Sequence, residues 1–134
     1  MFEGCYNLTT FTSDLPSLTS GNSMFKDCPQ LTSFASDSSG SPVNLSNLTD
    51  GWWMFWGCDA LTTFTSELPS LTDGEHMFYD CSNLTTFSSN LGSLKSGYYM
   101  FYNCKNLTSF ASDLSSLTDG EGMFEGCSLD TASV

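Results

Sequence analysis

Residues 1–23 read MFEGCYNLTTFTSDLPSLTSGNS, and this stretch recurs along the chain with few changes. Its opening pentapeptide, Met-Phe-x-x-Cys, occurs six times, at spacings of 23, 30, 23, 23 and 23 residues; it begins at Met1, Met24, Met54, Met77, Met100 and Met123. The phrase Leu-Thr-Thr/Ser-Phe-x-Ser-x-Leu-x-x-Leu-x-x-Gly follows the first five copies, with one interruption. Self-similarity at a period of this size indicates stacked copies of one small structural unit.

The apolar residues of one repeat are too few to bury a core by themselves. The first repeat contributes seven of them: Met1, Phe2, Cys5, Leu8, Phe11, Leu15 and Leu18. Neighbouring coils must therefore cover each other, as they do in a repeat solenoid. The sequence predicts a single solenoid domain over residues 1–134, with five full coils, a partial sixth, and an insert at 38–44 that causes the spacing of 30.

Local structure within one repeat follows from its residue types. The segments that begin at Leu8, Leu31, Leu61, Leu84 and Leu107 are rich in Thr and Phe, which predicts short strands paired in parallel. The residue before each cysteine is Gly, Asp or Asn, which predicts a left-handed turn. A second turn is predicted at Gly21, Gly51, Gly74, Gly97 and Gly120. The Met-Phe segment between them is expected to form short helical turns.

The six cysteines occupy one position of the repeat, at Cys5, Cys28, Cys58, Cys81, Cys104 and Cys127. Side chains stacked in register point in parallel, which places their Cβ atoms too far apart for a disulfide. We expect buried, reduced thiols that act as small apolar groups. Zinc sites use clustered ligands such as Cys-x-x-Cys, and the sequence contains none.

The charge balance excludes two classes of partner. The chain contains fifteen acidic residues, three lysines and no arginine, which gives a net charge of -12. Such a chain repels nucleic-acid phosphates and anionic membranes. No apolar run approaches the roughly 18 residues that span a bilayer, so no membrane insertion is expected. The chain starts in mid-repeat without a signal-peptide pattern, and we expect it to be part of a longer protein.

The frame Gly-x-x-Met-Phe-x-x-Cys-x-x-Leu-x-x-Phe resembles the 23-residue leucine-rich repeat of the BspA-like, or Treponema-type, class, whose phrase reads Gly-x-x-Ala-Phe-x-x-Cys-x-x-Leu-x-x-Ile. The resemblance covers residues 1–127. Met replaces the usual Ala, and serine replaces the second inward aliphatic residue at Ser13, Ser36, Ser66, Ser89 and Ser112. The resemblance implies a right-handed superhelix with short parallel strands, in a bacterial or phage surface protein that functions in adhesion or partner binding.

The repeats differ mainly at three positions, the two before each Met and the one after each Phe. All three tryptophans and four of the five tyrosines lie there. Stacked in register, these positions predict an exposed aromatic column, because Trp and Tyr are enriched at binding surfaces. The predicted ligand-binding residues are Trp52, Trp53, Trp56, His76, Tyr79, Tyr98, Tyr99 and Tyr102. The alternative is that the rings only pack against each other or against a neighbouring segment that is missing from this chain.

Other features of the sequence suggest weaker alternatives. The outward Thr, Ser and Ala residues of the strands could bind ice, although Ser and Ala interrupt the threonine columns. Two acidic columns, one containing Asp14, Asp37, Glu67 and Asp113 and the other Asp50, Asp73 and Asp119, leave calcium binding open. Catalysis has little support, because the chain has one histidine and its cysteines belong to the core. We expect no cofactor and no enzymatic activity.

The sequence therefore predicts a non-enzymatic binding or adhesion module that recognises a protein or glycan on a cell surface. Its expected location is extracellular, on a bacterial cell or phage particle. The alternative function is a structural building block that stacks head to tail into a fibre, since residues 1–5 and 123–127 have the same sequence. Residues 128–134 break the repeat and are interpreted as a modest cap or a docking strand.

Overall fold

A computed structural model describes residues 1–129, so part of the interpreted cap, residues 130–134, lies outside the described residues. The strands are β1 (Thr10–Thr12), β2 (Ser33–Ala35), β3 (Thr86–Phe87) and β4 (Ser109–Phe110). β1 pairs in parallel with β2, and β3 with β4. Both pairs join residues 23 positions apart, such as Thr10 with Ser33. The predicted parallel pairing between successive repeats is confirmed for these four coils.

The third coil differs from the prediction, because residues 61–66 form no strand. The insert gives a physical reason. In the first coil the Ser13 N–H donates to the Ala35 carbonyl of the next coil, whereas the equivalent Ser36 N–H donates to Ser41 within the insert. A second line of parallel bridges is uninterrupted and joins five coils through Ser20, Asp50, Asp73, Ser96 and Asp119.

The Gly-x-x-Met-Phe-x-x-Cys part of each coil, here called the turn segment, contains no helix among the described residues, so the predicted helical turns are wrong. Every second N–H of this segment donates to the next coil. In residues 51–58, the N–H groups of Gly51, Trp53, Phe55 and Gly57 donate at 2.8–3.0 Å to the carbonyls of the residues 22 positions later, which are Asp73, Glu75, Met77 and Tyr79. Of the intervening N–H groups, those of Met54, Trp56 and Cys58 donate three residues back, as in β-turns, whereas that of Trp52 donates to the Asp50 side chain. A helix would need all of these donors within its own segment.

Positive φ angles recur at two positions of the turn segment. The predicted position before each cysteine is confirmed in all six coils, with φ from 58° at Asp27 to 82° at Gly126. The second position, directly before Met, is not apparent from the sequence. It holds Ser23, Trp53, His76, Tyr99 and Gly122, with φ between 51° and 63°.

The glycine that opens each turn segment serves close packing rather than a left-handed turn, because these glycines do not have positive φ. A Cβ atom at Gly51 would lie 2.8 Å from the Met77 sulfur of the next coil, and one at Gly74 would lie 2.9 Å from the Met100 sulfur. Methionine, which replaces the family's alanine, therefore fills the space that glycine leaves in the preceding coil.

The core consists of stacked copies of the same side chains. Phe25, Phe55, Phe78 and Phe101 are fully buried, and their rings stack at 5.3–5.5 Å between successive coils. The first coil is different: the repeat pattern predicts that Leu8, Phe11, Leu15 and Leu18 are buried, but they are only half-buried, because no coil covers their outer side. Their counterparts in the inner coils are mostly buried.

All six cysteines are free, as predicted. The inner four are buried, but the prediction of burial is wrong for Cys5 and Cys127, which are only partly buried because they lie in the end coils. Their thiols do more than fill space. The Cys81 thiol donates to the Phe55 carbonyl of the preceding coil at 3.1 Å, and Cys28, Cys58, Cys104 and Cys127 make the equivalent bond at 3.0–3.2 Å. Burial raises the pKa of the Cys58 and Cys81 thiols well above the ordinary value of 9.0, so both are protonated at neutral pH.

The glycine–methionine contact predicts a specific coupling between two substitutions. Gly51→Ala should destabilise the fold by about 1–3 kcal/mol, because its methyl group meets the Met77 sulfur in a filled core. In a Met77→Ala background the same substitution should cost clearly less, since the colliding atoms are gone. Chemical denaturation of the wild type, both single variants and the double variant measures this coupling. Additive effects would contradict the proposed contact.

The buried thiols predict a loss of stability at alkaline pH. Above pH 9 the unfolded chain loses thiol protons that the native state retains, so stability present below pH 9 falls as the pH rises. Each buried thiol contributes a slope of about 1.4 kcal/mol per pH unit. Cys81→Ala should therefore flatten the dependence of unfolding free energy on pH between pH 9 and 11. Equal slopes in wild type and variant would contradict this account.

Candidate functional site

The hydrogen-bond ladder of the turn segment determines which side chains face outward. Met and Phe point into the core. The two positions before Met and the one after Phe lie on the outside, and each forms a row of equivalent residues along the stack, here called a file. The file after Phe holds Glu3, Lys26, Trp56, Tyr79, Tyr102 and Glu125. The file before Met holds Ser23, Trp53, His76, Tyr99 and Gly122, and the remaining file includes Trp52 and Tyr98.

Rings within the first two files stack on each other from coil to coil. The ring centroid of Tyr79 lies 4.3 Å from Trp56 and 4.6 Å from Tyr102, with interplanar angles of 28° and 21°. His76 lies 5.7 Å from Trp53 and 5.8 Å from Tyr99, stacked on the latter. Both faces of the Tyr79 ring are therefore occupied by its neighbours.

All eight residues predicted to bind a ligand lie in one connected group, here called the aromatic cluster. Contacts between files complete it: Trp52 to Trp53 at 4.7 Å, Trp53 to Trp56 at 4.8 Å and Tyr98 to Tyr99 at 4.6 Å. Only Trp52 is exposed, at 38%, and the other seven are half-buried. The expected exposed column is thus a cluster whose rings pack largely against each other.

The left-handed backbone beneath the cluster is strained. Trp53, His76 and Tyr99 have φ of 59°, 56° and 51°, a region in which bulky side chains are uncommon. Such positions cost on the order of 1–3 kcal/mol each and concentrate at functional sites. The same position holds Ser23 and Gly122 in the coils that flank the cluster. The left-handed backbone therefore recurs in the flanking coils, including at Ser23 with φ of 57°, and only the size of the side chain that it carries is particular to the aromatic coils.

The polar atoms of the cluster are also unusual. Trp53 Nε1 and His76 Nδ1 are buried and have no hydrogen-bond partner among the described residues. The nearest anion to His76 Nδ1 is Glu75 Oε1, at 3.5 Å. Burial lowers the pKa of His76, against the opposing effect of the Glu75 and Asp73 charges, so this imidazole is neutral at pH 7.

The two ends of the cluster carry charged side chains. At one end the Lys26 ammonium lies 4.4 Å from the centre of the Trp53 ring and 5.4 Å from that of Trp56. Glu3 pairs with the same ammonium at 3.7 Å. At the other end a shallow cavity of about 320 Å³ is lined by His76, Tyr79, Tyr98, Tyr99, Tyr102 and Glu125.

A second concavity, of about 370 Å³, borders the cluster at Trp56 and is acidic. Three carboxylates, those of Asp27, Asp59 and Asp80, and one ammonium group, that of Lys105, line it. Burial, followed by the charge of Asp80, raises the pKa of the Asp59 carboxyl. Sequence reasoning missed this groove, although a signal was present: Asp27 and Asp80 hold the turn position before a cysteine, and Asp59 follows Cys58.

The predicted acidic columns have local structural roles. Asp50, Asp73 and Asp119 each accept the N–H of the residue two positions later at 3.0–3.1 Å. Asp14 accepts the Asn44 N–H, and Glu67 accepts the Asn90 N–H. Across residues 1–129 no group of three or more His, Cys, Asp or Glu side chains is arranged to hold a metal ion.

The remaining features lie elsewhere on the molecule. The insert contacts Asp14 through Asn44 and borders Glu67 and Pro69, none of which belongs to the aromatic cluster. On the strands most of the predicted outward residues are exposed, but Ala35 is buried, which interrupts the surface suggested for ice. Within the described part of the chain, no helix has the length and apolar character needed to cross a membrane.

Parallel strands, inward leucines and coil-to-coil hydrogen bonds define a leucine-rich-repeat solenoid. The family model described as BspA type leucine rich repeat region matches residues 1–50 and 43–134 in six copies. The chain therefore belongs to the BspA-type leucine-rich repeat family, as its sequence pattern implies. No curated protein matches the chain significantly, and no solved structure does.

Proposed function

We propose that this chain is a non-enzymatic binding module, and that its aromatic cluster holds a protein or glycan ligand. Membership of the BspA-type family supports a surface module as the setting. In this proposal the chain is part of a longer surface protein of a bacterium or phage, located outside the cell, where it contributes to adhesion.

The observation that carries the proposal is the placement of large rings at Trp53, His76 and Tyr99. The fold itself does not require large side chains there, because Ser23 and Gly122 occupy the same position in neighbouring coils. Rings at this position put large side chains on left-handed backbone and bury two polar atoms, Trp53 Nε1 and His76 Nδ1, without hydrogen-bond partners. Costs of this kind are typical of residues retained for recognition.

The chemistry of the remaining groups supports binding rather than catalysis. Protonated, buried thiols such as Cys81 are poor nucleophiles, and His76 is packed between aromatic rings. Binding also suits the chain's architecture, because the outward files can change without disturbing Met, Phe or Cys in the core.

The most exposed ring gives the clearest test of ligand binding. Trp52→Ala should weaken attachment to glycan arrays, extracellular-matrix protein panels or whole cells by at least about tenfold, as expected for a central aromatic contact. Its thermal midpoint should change little, because the side chain is exposed. Trp53 and Tyr99 are less suitable, since their half-buried rings also contribute to packing.

Tyr6→Ala is a matched control, because Tyr6 is 64% exposed and lies outside the aromatic cluster. It should retain the attachment that Trp52→Ala loses. If the wild type binds a probe and Trp52→Ala binds it equally well, the cluster is not the recognition surface.

Head-to-tail stacking remains a second proposal, favoured by the half-buried framework of the two end coils. Phe2 in the first coil and Phe124 in the last pack against the core on one side only. Self-association through these faces would form an open filament rather than a ring.

Light scattering against protein concentration tests this stacking. Filament formation predicts a mass that grows with concentration and a loss of that growth in Phe2→Lys, which places a charge on the contact face. A constant monomeric mass of the wild-type chain at high concentration would exclude it.

A further inference from the structure

The file that contains Trp56 begins with three groups of complementary chemistry. Glu3, Lys26 and Trp56 occupy the same position in successive coils, so a carboxylate, an ammonium group and an indole follow one another along the stack. The ammonium lies 3.7 Å from the carboxylate and 5.4 Å from the indole centre. It also lies 4.4 Å from the Trp53 ring, within the range of a cation–π contact. At this end of the cluster the aromatic rings therefore hold a cation from the chain itself, the Lys26 ammonium.

The opposite end repeats this chemistry without a cation from the chain. Tyr102 is followed in the same file by Glu125, and Tyr99 is followed in its file by Gly122. Any side chain at Gly122 would collide with the Tyr99 ring, so glycine is needed for the ring to lie there. Among the described residues only Lys26 makes cation–π contacts. Lys95 and Lys105 do not line the cavity formed by Tyr98, Tyr99, Tyr102 and Glu125.

The electrostatics of this cavity favour a positive charge. Burial, followed by the neighbouring Tyr98 and the charges of Glu121 and Glu125, raises the pKa of the Tyr99 hydroxyl. Glu125 also acts on Tyr79 in the same direction. The cavity therefore combines several aromatic rings with a negative potential in a protein of net charge -12.

We propose that the cavity lined by Tyr98, Tyr99, Tyr102 and Glu125 binds a quaternary ammonium group. A weakly hydrated organic cation of this kind gains from aromatic rings and a nearby carboxylate. The volume of the cavity, about 320 Å³, is far larger than a bare ammonium ion requires. This inference deepens the proposed function, because it names the ligand chemistry for one end of the aromatic cluster.

Pyranose stacking is a weaker explanation for this end of the cluster. Both faces of Tyr79 are covered by Trp56 and Tyr102, so within this file only the outer face of Tyr102 is free for a ligand. A single free ring face beside the Glu125 carboxylate favours a cation over an uncharged sugar. Tyr98 and Tyr99 meet edge to face, which leaves a corner between rings rather than a flat platform. Such a corner suits a compact, rounded group better than a flat ring.

The test uses choline as the probe and 3,3-dimethylbutan-1-ol as its uncharged isostere. In an NMR titration of the full chain, choline should move tyrosine ring signals, and its methyl protons should shift upfield under the rings. The isostere should bind at least about tenfold more weakly, because it lacks the charge that the rings and Glu125 attract. Equal binding of the two compounds would overturn the proposal.

Two substitutions at Glu125, which is exposed and can change without disturbing the core, test the site directly. Glu125→Gln should weaken choline binding several-fold. Glu125→Lys should abolish it, since the new ammonium repels the ligand.

Tyr102→Leu should reduce affinity about tenfold by removing a ring. Tyr6→Ala should bind as the wild type does, and wild-type affinity in both Glu125 variants would overturn the assignment.

Lys26→Ala provides a test by gain of binding. Removal of this ammonium leaves Trp53, Trp56 and Glu3 in the arrangement that held it, so the stoichiometry of choline should rise from one to two. Parallel titrations with phosphocholine and with a trimethyllysine peptide distinguish a headgroup from a modified protein as the source of the cation. Tighter binding of one identifies the source, and failure of both together with choline overturns the proposal.

The two proposals fail in different ways. Suppose that the wild-type chain binds no organic cation, while Trp52→Ala still abolishes attachment to an array or cell. This result would refute only the proposed ligand chemistry and would support the binding module. If choline binding depends on Glu125 but Trp52→Ala attaches as well as the wild type, the cation site is supported and the wider recognition surface is refuted.

Discussion

The hydrogen bonds between turn segments are the interaction on which the rest of the structure depends. Every second N–H, such as those of Trp53, Phe55 and Gly57, donates to the following coil, and this fixes the coils in register. The remaining donors close local turns, which require positive φ before Met and before Cys. Identical positions therefore stack directly above one another. Framework side chains stack in the core, and variable side chains stack on the outside.

This arrangement separates stability from recognition. The buried set of Met, Phe, Cys and Leu is nearly constant between coils, and even the thiol has a defined partner in a phenylalanine carbonyl. The outward files carry acids, a lysine or aromatic rings at the same positions. Successive coils with aromatic residues in these files thus produce a continuous aromatic surface. This surface ends at the coil where the same position holds a charged or small residue. The charged ends of the aromatic cluster, at Lys26 and Glu125, arise in this way.

The sequence predicted the features that depend on periodicity. Counting positions predicts the parallel pairing of repeats, the free cysteines, the positive φ before each cysteine and the grouping of the eight residues expected to bind a ligand. Features that depend on contacts between coils could not be predicted. The turn segment is not helical because its donors bond to a neighbour, Gly51 is required by the Met77 sulfur, and Leu8 is half-buried because nothing covers it. The position before Met gave no signal, since Trp53 and Tyr99 are not residues expected at positive φ.

Amide hydrogen exchange tests the central role of the ladder most directly. If coils are held by bonds from one turn segment to the next, the N–H groups of Trp53, Phe55, His76 and Phe78 should be among the slowest to exchange and should exchange together. Protection should decrease toward the first coil, where Leu8 and Phe11 are half-buried. Rapid exchange of the Phe55 and Phe78 amides, while strands β1–β4 stay protected, would contradict the account.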